Sequence, residues 1–198
     1  MLRRFFEILP SGFEIPIIVV QHLPRGPRLD LELIYGRRGG RRYVEAEDKY
    51  RPRSGDVVMA VPDFHLALDD EGALVLSQDE PVHYSRPSID VFFESAANGL
   101  KRDVAAVLLS GANHDGALGL LCVKRAGGVT IVQDPHEAQT PTMPQSALDL
   151  FEPDFVGGID SIVKYLTDRT SFLPVVPPVG ASTLTVKKGS RYFLPSSF

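Results

Sequence analysis

The chain has 198 residues, 43% of them hydrophobic and 23% charged, with a net charge of -4. Those values fit one soluble α/β domain with a sizeable core and exclude a disordered polymer; the acidic balance gives no nucleic-acid footprint. Cys122 is the single cysteine, which excludes an internal disulfide framework and suits a reducing, cytoplasmic setting.

The opening MLRRFFEIL has arginines but neither a long apolar run nor a small-residue cleavage site, so a signal peptide is not expected. No segment approaches the length of a membrane span, and no membrane insertion is expected. Leu2, Phe5, Phe6 and Leu9 share one helical face, and Pro10-Ser11-Gly12 ends that helix. Ile17 to Val20 is a near-continuous apolar run, the pattern of a strand covered on both faces. A helix is predicted over roughly Arg28 to Tyr35. The cluster Arg37, Arg38, Arg41 and Arg42 reads as a solvated turn rather than a docking patch.

Strands are expected at Tyr43 to Ala46 and Val57 to Val61, and a hairpin at Leu66 to Leu68 and Ala73 to Leu76 around Asp69-Asp70-Glu71-Gly72. Ser88 caps a helix whose Ile89, Phe92, Phe93, Ala96 and Leu100 lie on one face. Strand Val104 to Leu109, helix Gly116 to Arg125, strand Val129 to Gln133 and helices at Gln145 to Leu150 and Asp160 to Thr167 complete the pattern. Cys122 falls in an apolar stripe and reads as packing rather than as a nucleophile. The fold class is therefore α/β, doubly wound and three-layered, with a mostly parallel sheet and one antiparallel β-hairpin. Residues 1-170 form the domain and residues 171-198 a tail or linker. In that tail, Phe172 to Gly180 is proline-rich, Thr183 to Lys187 is a possible strand, and Gly189 onward carries no signal.

Two strand ends carry chemistry. The run IPIIVV delivers Gln21-His22 before the chain breaks at Pro24 and Gly26, and VAAVLLSG opens into a loop bearing His114-Asp115. Ligands and reacting groups collect at the carboxyl ends of parallel strands. An imidazole held in one tautomer by a carboxylate on its Nδ1 is a general base, so His22 and Asp115 form a candidate pair if their strands are neighbours. The small-residue loop Ser110-Gly111-Ala112-Asn113 can aim a backbone amide at an oxyanion. A metal-dependent hydrolase using His22, His114, Asp115 and His65 is the rival enzyme class, but H-E-x-x-H and any tight ligand pair are missing. His65, His83 and His136 read as loop residues near the cleft or on the surface. Gly111 to Gly116 lacks the lysine and the glycine spacing of a nucleotide site.

QHLP at Gln21 to Pro24, AEDKYRPRSGDVVMAVPDFH at Ala46 to His65, RPSIDVFF at Arg86 to Phe93, SGANHDGALGL at Ser110 to Leu120 and MPQSA at Met143 to Ala147 resemble CheB-type protein-glutamate methylesterase domains. The blocks keep the family's order and spacing over roughly Met1 to Thr167. The resemblance implies a Ser-His-Asp hydrolase, free of metal and cofactor, that demethylates glutamates on chemoreceptors or other methylated signalling proteins and in many members deamidates glutamines. It places the base at His22, the orienting carboxylate at Asp115, the oxyanion amide near Ala112 and a cleft residue at Met143. The family's nucleophile lies in a G-x-S-x-G-G turn between the first strand and the first helix. This chain opens within that helix, so the first strand and the serine are expected upstream of Met1, and the chain as written is expected to be nearly inert. The competing reading is a binding module or decoy. Asn113 and His114 depart from the family's usual residues; His114 either faces solvent or is a second imidazole perturbing the pair. A regulatory receiver domain would have to act in trans.

Overall fold

The computed structural model describes residues 1–22, 41–170 and 192–196. Its elements in chain order are α1 (Leu2–Ile8), β1 (Ile17–Val19), β2 (Arg42–Glu45), β3 (Asp56–Met59), β4 (His65–Leu68), β5 (Leu74–Ser77), α2 (Ile89–Leu100), β6 (Val104–Leu108), α3 (Ala117–Arg125), β7 (Val129–Gln133), α4 (Thr142–Leu150), β8 (Phe155–Gly157), α5 (Ile159–Thr170) and β9 (Tyr192–Ser196). Among the described residues, seven strands form one parallel sheet in the order β2-β3-β1-β9-β6-β7-β8. The pair β4-β5 stands apart as an antiparallel hairpin, with His65 opposite Ser77 and Leu68 opposite Leu74.

Strand alternation separates two cores. Ile18, Val58, Ala106, Leu108 and Val132 pack with Ile89, Phe92 and Phe93 of α2, Leu120 and Val123 of α3, and Met143 and Ala147 of α4. Ile17, Val19, Val57, Met59, Val107 and Ile131 pack with Phe5 and Phe6 of α1 and Ile162, Val163 and Leu166 of α5. Successive strand residues thus face opposite layers, which is why their runs read as continuously apolar. The result is the three-layer α/β architecture that the segment pattern implies.

Several expectations change. The stretch from Gly189 onward contains β9, which lies between β1 and β6: Ile17 pairs with Phe193, and Val104 to Leu108 pair with Tyr192 to Ser196. Its short apolar trio ends at Pro195, and a proline argues against a central strand because it lacks the ladder N–H. Strand β8 was not anticipated; it is a three-residue edge strand, partly exposed. Helix α4 begins at Thr142, ahead of the expected Gln145, because Pro144 falls in the first turn where no intrahelical N–H is required. Arg41 departs from the solvated-turn reading, while Arg42 opens a strand rather than a turn and keeps an exposed side chain. Arg41 is buried and donates to the carbonyls of Leu9 and Pro10, while Arg42 makes a two-point bond to Asp56 at 2.9 and 3.0 Å. The expected helix at Arg28 to Tyr35, the Phe172 to Gly180 linker and the Thr183 to Lys187 strand lie outside the described residues, as do Arg37 and Arg38.

Candidate active site

His22 follows β1 and Asp115 lies in the loop between β6 and α3, and the fold brings them together: His22 Nε2 and Asp115 Oδ2 are 2.7 Å apart. The side chains are 9% and 0% exposed, respectively. The nitrogen facing Asp115 is Nε2 rather than the expected Nδ1, so Nδ1 is the ring position not engaged by the carboxylate. Either nitrogen can serve as base when the other is held.

Asp115 is held by the start of α2. Its Oδ1 accepts the Ser88 hydroxyl at 2.8 Å and the Asp90 amide at 3.0 Å; its Oδ2 accepts the Ile89 amide at 2.8 Å in addition to His22. Both amides are first-turn N–H groups without an intrahelical acceptor, a natural seat for a carboxylate. Burial pushes the Asp115 carboxyl up, but the bonds from His22, the Asp90 and Ile89 amides and Ser88 outweigh it and hold the group below its usual range. The carboxylate is therefore kept ionised and fixed in direction.

Ser88 has a larger part than capping. Its hydroxyl accepts the Val91 amide while donating to Asp115, and its own amide donates to His65 Nδ1 at 3.2 Å. His65 is not a loop or surface residue: it is buried at the start of β4, and its Nε2 bonds the Glu80 carbonyl at 3.1 Å. No local signal separates such a support from an ordinary cap, because its partners are far away in sequence.

The loop carrying Asp115 is tied from both sides. Ser110 donates its amide to Gln133 and accepts the Thr140 amide on its hydroxyl, while the Gly111 amide meets the Thr140 carbonyl and the Met143 amide returns to Gly111. Asn113 Oδ1 accepts the Asp115 amide at 3.1 Å, a local Asx turn. Ala112, the expected oxyanion amide, is exposed at the tip. Met143 is fully buried beneath the loop, where a Cβ at Gly111 would come within 2.5 Å of its methyl carbon. His114 is exposed and bonds the Ser146 hydroxyl at 2.5 Å, whereas the bonds on the Asp115 carboxylate come from His22, Ser88, Ile89 and Asp90. Cys122 is partly buried against the core, and burial pushes its thiol up, which suits packing. Among the described residues, no group of three or more His, Cys, Asp or Glu is placed to hold a metal ion.

Comparisons with known proteins agree on one family. A family model described as CheB methylesterase matches residues 1–166. A putative protein-glutamate methylesterase/protein-glutamine glutaminase of Leptospira interrogans is 38% identical over 165 residues, covering 82% of this chain and 84% of that protein. The protein-glutamate methylesterase/protein-glutamine glutaminase of Symbiobacterium thermophilum is 32% identical over 166 residues, 84% of this chain but only 46% of its own length. The CheB methylesterase catalytic domain of Thermotoga maritima superposes with a TM-score of 0.77 at 30% identity, covering 84% of this chain and 92% of that one.

Proposed function

This chain belongs to the CheB methylesterase family, and on that footing we propose that it carries the catalytic pair of a protein-glutamate methylesterase acting on a chemoreceptor or another methylated signalling protein. The supporting observation is the buried His22–Asp115 bond of 2.7 Å, made across the ends of β1 and β6, which are not neighbours in the sheet but flank β9. In this reading a serine hydroxyl attacks the ester carbonyl carbon, and the His22 nitrogen not engaged by Asp115 takes the proton. Asp115 stabilises the imidazolium, and the Ala112 amide donates to the oxyanion. His22 returns its proton to the departing methoxide, which leaves as methanol. Water, deprotonated by the same ring, then cleaves the acyl-serine and restores both carboxylate and hydroxyl. A glutamine amide follows the same course with ammonia leaving. Control by a receiver domain in trans and action in the cytoplasm belong to the same proposal.

A second reading, a non-catalytic receptor-binding module, is favoured by one fact: no G-x-S-x-G-G stretch occurs in the 198 residues. Ser182, two positions after Gly180, has only the G-x-S part and lies outside the described residues. In the catalytic reading the serine is carried on a segment outside these 198 residues, so the test uses the protein extended upstream to include a G-x-S-x-G-G turn, incubated with a fluorophosphonate probe and the adduct mapped by mass. The catalytic reading expects one labelled serine in the added segment, loss of labelling in His22→Ala, and hydrolysis slowed roughly 10⁴-fold in Asp115→Asn. Absence of any adduct in the extended protein, with methylated receptor still bound, overturns it in favour of the binding module.

A further inference from the structure

Strand β9 holds the sheet position that adjoins both strands carrying the pair. The other neighbour of β1, which leads to His22, is β3, and the other neighbour of β6, which leads to Asp115, is β7. The two sides of β9 are unequally bound. Tyr192 to Ser196 all pair with Val104 to Leu108, whereas on the β1 side the ladder joins Phe193 to Ile17. Among the described residues, Ile18 and Val19 are paired on the β3 side only. Pro195 brings no N–H to either ladder, which is unusual for a central strand.

The handedness of the fold fixes what else belongs in that position. The connection β6-α3-β7 carries the chain toward β8, with Leu120 and Val123 of α3 packed on one face of the sheet. Parallel crossovers of this kind are right-handed. Helix α1 packs on the opposite face through Phe5 and Phe6 and leads into β1. A right-handed crossover by way of α1 therefore runs the other way across the sheet. A parallel strand ahead of α1 falls on the β6 side of β1, the place that β9 fills.

We propose that the slot between β1 and β6 is a strand-acceptor site for the segment that precedes α1, and that β9 is its exchangeable occupant. The serine-bearing strand and residues 192–196 exclude each other, because neighbouring strands lie about 4.8 Å apart and a filled slot admits no second chain. This rests on the catalytic reading, in which the serine comes from upstream of Met1. A strand entering there meets main-chain groups on both flanks, the recognition used in strand addition. Its carboxyl end lies between the strand ends that lead to His22 and Asp115, where a hydroxyl in the following turn completes the pair. With β9 in the slot, the residue level with Leu108 is Ser196 instead.

Hydrogen exchange on the protein extended upstream through the serine-bearing turn reads the exclusion without turnover. Amides of β9 that the ladder protects in the 198-residue chain should exchange roughly tenfold faster or more in the extended protein, while Val104–Leu108 keep their protection. Unchanged protection of β9 overturns the proposal. Release of β9 with no serine labelled by a fluorophosphonate supports the exchange and counts against the catalytic reading; a labelled upstream serine with β9 still protected does the reverse. Should the extended protein not fold, the upstream strand is supplied as a synthetic peptide to the 198-residue chain. It should bind the double variant Phe193→Pro, Leu194→Pro roughly tenfold more tightly than the wild type, the ratio for a slot that β9 leaves open about a tenth of the time. Equal affinity overturns the proposal. Labelling of Ser196 in the 198-residue chain would make β9 the source of the hydroxyl, and overturns it as well.

Discussion

At the residue scale, Ser88 and Asp115 illustrate how much of a site is support. Replacing Ser88 by Ala removes both the helix cap and a donor to a buried carboxylate. Chemical denaturation should show a loss of about 1–3 kcal/mol, and a change under about half of one would count against the bond. The two carboxylates titrate in opposite senses. Asp115 is held below its unfolded value, so its contribution is complete above about pH 4 and is lost as pH falls through its folded value. Asp90, raised to about 6, binds its proton more tightly in the folded chain than in the unfolded one. Its contribution is complete below about pH 4 and is lost as pH rises toward 6. Denaturation midpoints of wild type and Asp90→Asn followed across pH 4 to 7 should therefore diverge through this window; parallel curves would show that the burial cost of Asp90 is not expressed.

At the element scale, the turn from β6 into α3 leaves no room for ordinary side chains. Gly116 has φ +92°, and a Cβ there would lie 2.6 Å from Leu108 Cδ1 and 2.7 Å from Ile89 Cγ2. Gly116→Ala combines left-handed strain with a clash against the helix that clamps Asp115. Thermal unfolding should register a destabilisation of about 2 kcal/mol or more, and a change under about half of one would count against the clash. Helix α2 supplies the counterpart. Its apolar face, Ile89, Phe92, Phe93 and Ala96, is fully buried, so the amides of its first turn are delivered to Asp115 by packing rather than by flexible reach.

At the scale of the whole molecule, β9 joins the two halves of the sheet. It pairs with β1, which leads to His22, and with β6, which leads to Asp115. Without it the inner edges of both strands would lack their ladder partners, and backbone groups left unpaired in an interior are costly. Deleting residues 191–198 should lower hydrogen-exchange protection across Ile17–Val19 and Val104–Leu108 more than at β7, which keeps its partners. Equal protection in both forms would show that β9 adds nothing to the sheet.

Much of this architecture was legible along the chain. The apolar runs at Ile17 to Val20 and Val104 to Leu109, the Ser88 cap and the Leu66 to Leu76 hairpin all record burial or turn chemistry within a few residues of themselves, and each became the element it suggested. His22 and Asp115 could be singled out because strand ends announce themselves locally. Other features have no local record. Arg41 looks like any surface arginine until the carbonyls of Leu9 and Pro10 are placed beside it. His65 becomes a buried brace for Ser88, Nε2 rather than Nδ1 of His22 meets Asp115, and a strand ending in Pro195-Ser196 enters mid-sheet. The sequence by itself determined which segments fold and which two strand ends carry reactive groups, because amphipathic period and turn residues act over short range. Only the tertiary structure decided which atoms meet and which strand lies between β1 and β6, because pairing and charge balance depend on neighbours that the chain supplies from far away.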